Sequence, residues 1–281
     1  MAVQPGDFFD IPYGPLPTTG RVQLDGNKIV SANAEVRFLR DEPGVNDQQA
    51  NQIRELLGKD LFPFLEQNEQ RFVTLNITEG GGVEHSQEVS KVWQLSNEDR
   101  SVTVTLAPLA VNVQVLNYLH FQESLAGIFS LALGAYASTT NATIIQRLGL
   151  RYINRLTDPE AKRPEFWSSV LSSNFSGPTA GVLGSFLQGA RQHMQLRLEP
   201  TVGAVVNSVI FQDSEMANAF SCLVDIDVFD ERATTFESKN ISDLTRKLNR
   251  TAYGLFAETL TNEFLGGLKN GSNIGKDGEI E

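Results

Sequence analysis

The chain reads as an α+β protein in which mainly antiparallel sheet packs against long amphipathic helices. Three observations predict this. Apolar and polar residues alternate with period 2 in many separate stretches, such as "AEVRF" (34–38) and "LVDIDVF" (223–229). These strands outnumber any regular strand–helix alternation, which a doubly wound sheet would require. Near the end, Ile241, Leu244, Leu248, Ala252, Leu255, Phe256, Leu260, Phe264 and Leu268 form one helical stripe over 240–268. Both halves run as strands followed by a long helix. That is a pseudo-duplication at the level of topology, without sequence identity between the halves.

Residues 1–28 are rich in Pro and Gly and lack periodicity. They read as an irregular N-terminal arm docked through Phe8, Phe9 and Tyr13. An N-terminal α+β half is expected over 29–157. It opens with the strand "SANAEVRFLR", followed by a helix whose apolar residues are Ile53, Leu56, Leu57 and Leu61. Asn46 or Asp47 suits the N-cap, and Pro63 should kink or end the helix. "EVSKVWQLSNEDRSVTVTL" is a hairpin, with Pro108 marking a bend or strand end beyond it. A helix over about 119–139 and the stretch 144–156 complete this half. Residues 158–188 are dense in Pro, Ser and Gly and read as a connector with short helices. The C-terminal α+β half, 189–269, holds three successive strands and the long stripe. Residues 270–281 read as a disordered tail.

Composition narrows the function classes. The 281 residues are 41% hydrophobic and 20% charged, with a net charge of −11. That charge disfavours nucleic-acid binding, which needs a basic footprint. Only a stripe joining Arg54, Lys59 and Arg71 to other cations would supply one. Cys222 is the single cysteine, so no internal disulfide can form. The N-terminus lacks the basic and apolar regions of a secretory signal. The longest apolar run, 125–137, is too short to span a bilayer. A soluble cytoplasmic protein with no membrane partner is expected.

Motifs for cofactors and catalysis are sparse. "EGGGVEH" (79–85) lacks the glycine spacing of a dinucleotide cradle and reads as a loop. His85, His120 and His193 are far apart, and no Walker A or nucleophile-elbow sequence occurs. No cofactor is implied. On a strand, Asp225 and Asp227 would stand side by side, a pairing that can hold a divalent metal. The Gly-Ser turn that a nucleotidyltransferase places roughly a dozen residues upstream is absent from that position.

"IIQRLGLRYINRL" (144–156) places Arg147, Arg151 and Arg155 four residues apart. Either a strand or a helix would gather them on one face. Gly149 and Tyr152 favour a strand, with Leu148, Leu150, Tyr152 and Leu156 on the opposite face. Arg147, Arg151, Asn154 and Arg155 could then hold an anion through bidentate hydrogen bonds. Alternatively, the arginines brace the sheet by pairing with Asp225 and Asp227.

In order along the chain, "AEVRF" (34–38), "VWQLSNEDRSVTVTL" (92–106), "VLNYLHFQESL" (115–125), "RLGLRYINRL" (147–156), "LVDIDVF" (223–229) and the terminal "LFAETLTNEFL" resemble a sporadically distributed, uncharacterised bacterial family of about 250 residues. The resemblance covers residues 30–268, and "GLRYINR" is its most specific piece. The chain departs from the pattern at "LHFQE", where a tryptophan and a glutamate usually follow the tyrosine. The resemblance implies an α+β fold with "GLRYINR" as a strand. Its patchy distribution is similar to that of accessory genes in defence or toxin–antitoxin neighbourhoods. It brings no activity.

The expected function is therefore a non-enzymatic interaction or accessory module, with a protein partner or a second copy of itself. The alternative is an anionic-ligand or metal-dependent phosphoryl-chemistry protein using the arginine face with Asp225 and Asp227. The two part on geometry, by whether the guanidinium groups line an open pocket or are already engaged by carboxylates.

Overall fold

A computed structural model describes residues 11–16, 29–39, 44–77, 83–140, 142–216 and 219–269. The expectations for Phe8, Phe9, residues 79–82 of the glycine-rich stretch and the tail 270–281 lie outside these.

The fold is α+β, built on one large antiparallel sheet with several helices. The strands are β1 (Ile29–Phe38), β2 (Phe64–Ile77), β3 (Val83–Ser96), β4 (Val102–Ala107), β5 (Ala110–Val115), β6 (Ile144–Leu156), β7 (Ala190–Arg197), β8 (Val202–Gln212), β9 (Phe220–Asp230) and the short β10 (Thr234–Thr235). They pair in the order β2-β3-β4-β5-β1-β6-β9-β8-β7, with β10 beside β6. The strand holding the three arginines is thus the join. It pairs with β1 on one side and β9 on the other, so a single sheet runs through both halves.

Register explains the core. Leu95, Val104, Val113, Ala34, Leu150, Val228 and Ala204 face one another in one unbroken row across seven strands. All seven are buried. Because strand side chains alternate, the neighbouring row points to the other face. There Gln94, Thr105, Asn112, Glu35 and Gly149 stand in line. Over the apolar face lie α2 (Gly127–Thr140) and α4 (Ser238–Thr259). Helix α1 (Asp47–Leu57) packs on α2. No helix of the described residues is long and apolar enough to cross a membrane.

Several local expectations change. Asn46 is the N-cap of α1, in a capping box with Gln49. The helix ends at Gly58, whose φ of +96° suits a residue without a side chain, so Pro63 is not the stop. Leu56 and Leu61 are consequently exposed, while Ile53 and Leu57 are buried. Arg54 is spent on the Phe62 and Pro63 carbonyls, and Lys59 pairs with Glu55. Neither joins a basic stripe with the arginine strand. Pro108 sits in the two-residue turn between β4 and β5. The helix expected from 119 begins as a π-helical turn, Phe121–Ala126, before α2.

The C-terminal stripe is two helices, α4 and α5 (Asn262–Lys269). Leu260 turns extended at the junction and bridges Leu171. Within the connector lie short helical turns at Pro164–Ser168, Ser173–Ser176 (α3), Gly177–Ala180 and Gly184–Phe186. Of the arm, Tyr13 is buried. Its backbone N–H donates to Thr251 Oγ1 at 2.9 Å, and its ring stacks under the Lys247 ammonium at 4.0 Å.

Leu150 sits on β6, between β1 and β9, with no exposed surface. Leu150→Ala is expected to cost about 2–5 kcal/mol, through lost burial and the cavity left behind. Urea unfolding followed by circular dichroism measures this, with little change in the slope of the transition.

Candidate functional site: a charge ladder on the open face of the sheet

The arginine segment is a strand. Leu148, Leu150, Tyr152 and Leu156 are buried in the core, and Arg147, Arg151 and Arg155 share the other face. Asn154 does not join them. Its parity puts it on the core face, 4% exposed, where its Nδ2–H donates to the Val224 carbonyl at 3.2 Å. A residue an odd number of positions from the arginines cannot share their face, so Asn154 is removed from the anion-binding set.

Each guanidinium is already held by carboxylates. Arg147 donates to Glu35 of β1 at 2.9 Å and to Asp227 of β9 at 3.2 Å. Its guanidinium also lies over the Phe229 ring, 4.6 Å from the centroid. Arg151 makes a two-pronged contact with Asp225, Nε and Nη2 each at 2.8 Å. Arg155 reaches Asp213 at 2.6 Å and Glu215 at 2.6 Å, both in the loop between β8 and β9. Asp213 also accepts from the Ser221 hydroxyl and from the Glu215 backbone N–H. Asp225 takes a further hydrogen bond from Asn207, which in turn contacts His193.

The lean of these side chains is consistent. Arg151 stands opposite Asp227 in the register, yet it bonds to Asp225, two residues further along. Arg147 likewise lies forward over Gly149. A Cβ at Gly149 would stand 2.7 Å from Arg147 Nη1. The glycine in "RLGLR" is therefore the floor on which the guanidinium lies. Gly203 plays the same part for Phe229, whose ring edge would be 2.7 Å from a Cβ there.

Charge partners and desolvation pull the carboxylates in opposite directions. Arg155, helped by the Ser221 hydroxyl, holds the Asp213 carboxyl down to about 2. Asp227 goes the other way: desolvation raises it above the usual carboxylate range, against the pull of Arg147 and Arg151. Burial alone pushes the Cys222 thiol up to about 12, so it is a poor nucleophile. Among the described residues, no group of three or more His, Cys, Asp or Glu side chains is placed to hold a metal. Asp225 and Asp227 do stand side by side on β9, but their oxygens face arginines. Chemically, this arrangement serves as a cross-sheet brace tying β1, β6, β9 and the β8–β9 loop.

Sequence reasoning missed Glu35, Asp213 and Glu215 as partners. Glu35 had a signal, since its alternation in "AEVRF" marks it for the polar face. Asp213 and Glu215 lie in a turn, where spacing carries no information about a contact 58 or 60 residues away.

No family model matches the chain, and no curated protein matches it. Among solved structures, it is similar at 6% identity to the S. pombe Pct1 RNA triphosphatase, over 86% of this chain and 85% of that chain, with a TM-score of 0.11. A likeness at that level carries no argument.

Two outcomes are expected. Arg151, half-exposed, is worth up to about 1 kcal/mol to stability, whereas Arg155→Gln strands the buried Asp213 and costs about 3 kcal/mol. Chemical denaturation of the two variants gives this order. The second outcome concerns pH. Asp213 titrates lower in the folded than in the unfolded chain, so its contribution is present above about pH 4 and is lost as pH falls towards 2. The stability gap between wild type and Asp213→Asn, measured from pH 7 downwards, should hold steady and then close across that window.

Proposed function

We propose that the chain is a non-enzymatic protein-interaction module. The observation that carries this is an apolar loop tip. Val182, Leu183 and Phe186 are 88%, 65% and 78% exposed within five residues. Apolar surface costs roughly 25 cal/mol per Å² to leave in water, so large side chains grouped this way mark a contact surface. The tip is shaped before any partner arrives. Gly184 N–H donates to the Gly181 carbonyl at 2.9 Å, and Phe186 N–H donates to the Leu183 carbonyl at 3.0 Å. Gly184 packs so closely on the Thr179 carbonyl that no side chain fits there.

The charged face supports the same reading from the other side. The three arginines of β6 are engaged by carboxylates within the fold and are not needed for recognition by the tip. The resemblance to a patchily distributed bacterial family supports an accessory role, in a defence or toxin–antitoxin neighbourhood, with a cytoplasmic protein partner or a second copy as the occupant.

The test is affinity capture from cells of the native host, using tagged wild type and a Val182→Ser, Leu183→Ser, Phe186→Ser variant shown to be folded by circular dichroism. A specific partner should be retained by the wild type and reduced at least tenfold by the variant. Failure to capture a partner, together with a monomeric mass by light scattering, overturns the proposal.

A further inference from the structure

The loop tip runs directly into β7, which is an edge of the sheet. Among the described residues β7 pairs with β8 alone, in unbroken register from Ala190 to Arg197. Among those residues no strand pairs with its outer side and it holds no proline or bulge, although the Gly177–Ala180 turn packs against it at Gln192 and its arginines supply the charge that commonly guards an edge. Its exposed face carries Arg191, His193, Gln195 and Arg197 in succession, with no acid among them. Arg197 meets Glu231 only at 3.7 Å between two well-exposed side chains, a contact a better-placed carboxylate can replace. On the opposite face, Met194 and Leu196 pack against the core and are half-buried.

We propose that β7 is a docking edge for an extended segment of a partner protein, which adds as a further antiparallel strand and carries acidic side chains six residues apart. The spacing comes from Arg191 and Arg197, about 20 Å apart at roughly 3.3 Å per residue. Strand addition satisfies the unpaired backbone groups of the edge. Opposite charges facing each other across strands favour the pairing, and like charges disfavour it. That second rule argues against a second copy here. Two β7 strands brought together about a two-fold axis in the register that pairs Arg191 with Arg197 would oppose arginine to arginine at both ends. Between its acidic ends, the segment needs apolar residues at alternate positions to cover Met194 and Leu196. The inference rests on the interaction reading above and names the partner's chemistry.

The test uses the full chain and a fluorescein-labelled peptide, "EVTVTVE", acetylated and amidated at its ends, in an anisotropy titration. Two control peptides replace both glutamates with lysine, or the central valine with proline. The wild type should bind the glutamate peptide at least tenfold more tightly than the lysine peptide, and the proline peptide weakly. The double variant Arg191→Glu, Arg197→Glu should invert the charge preference, an outcome that simple misfolding cannot produce. Equal binding of the two charged peptides, no binding up to millimolar peptide, or a dimer by light scattering that the double variant alters would each overturn the proposal. If loop-dependent capture persists while the peptide fails, only the edge assignment falls. If both fail, the interaction reading falls with it.

Discussion

The fold hangs on the register of β6 between β1 and β9. A strand alternates strictly, so a slip of one residue exchanges its two faces. For β6 that exchange would drive three guanidinium groups into the core and expel Leu148, Leu150, Tyr152 and Leu156. Few strands carry so heavy a penalty for misalignment. The carboxylates of Glu35, Asp225 and Asp227 reinforce the correct register from both sides. The central strand thus fixes both where its neighbours lie and which way they face.

The brace also shapes what the molecule offers outside. Arginine is a strong anion ligand when its fork is free. Here the forks close on acids of the same chain, and Gly149 exists to let one of them lie flat. The Asp213 that Arg155 reaches is nearly inaccessible and bound by three donors, while Arg147 is itself the least exposed of the three arginines. Arg151 is the shallowest of the three, with half its side chain exposed. The apolar tip at 182–186 stands exposed, and β7, an end strand of the sheet, follows it.

The architecture was largely legible, and the reasons are local. Period-2 alternation located β1, β4, β8 and β9 because each has one wet and one dry face, whereas β6 read as a strand from Gly149 and Tyr152, since its arginines share a face under either period. The same parity placed the arginines together and should have separated Asn154 from them. Grouping it with its neighbours followed sequence proximity over strand geometry. The single stripe over 240–268 broke at Leu260 because a bridge to Leu171 pulled the backbone extended, and helical periodicity alone cannot show such a contact. β2 was not foreseen: it is an edge strand, and polar residues such as Glu66, Asn68 and Glu69 dilute its alternation. The partners of Arg155 were invisible, since a turn encodes its own conformation and not its distant neighbours.

The central claim is that the arginine ladder is a brace and not an anion site. The most direct measurement is the thermal midpoint of the wild type against rising pyrophosphate at constant ionic strength. A ligand that binds the folded state raises stability by RT ln(1 + [L]/Kd). With its guanidinium groups engaged by carboxylates, the protein should show a flat midpoint. A dose-dependent rise that disappears in Arg151→Gln would contradict the account.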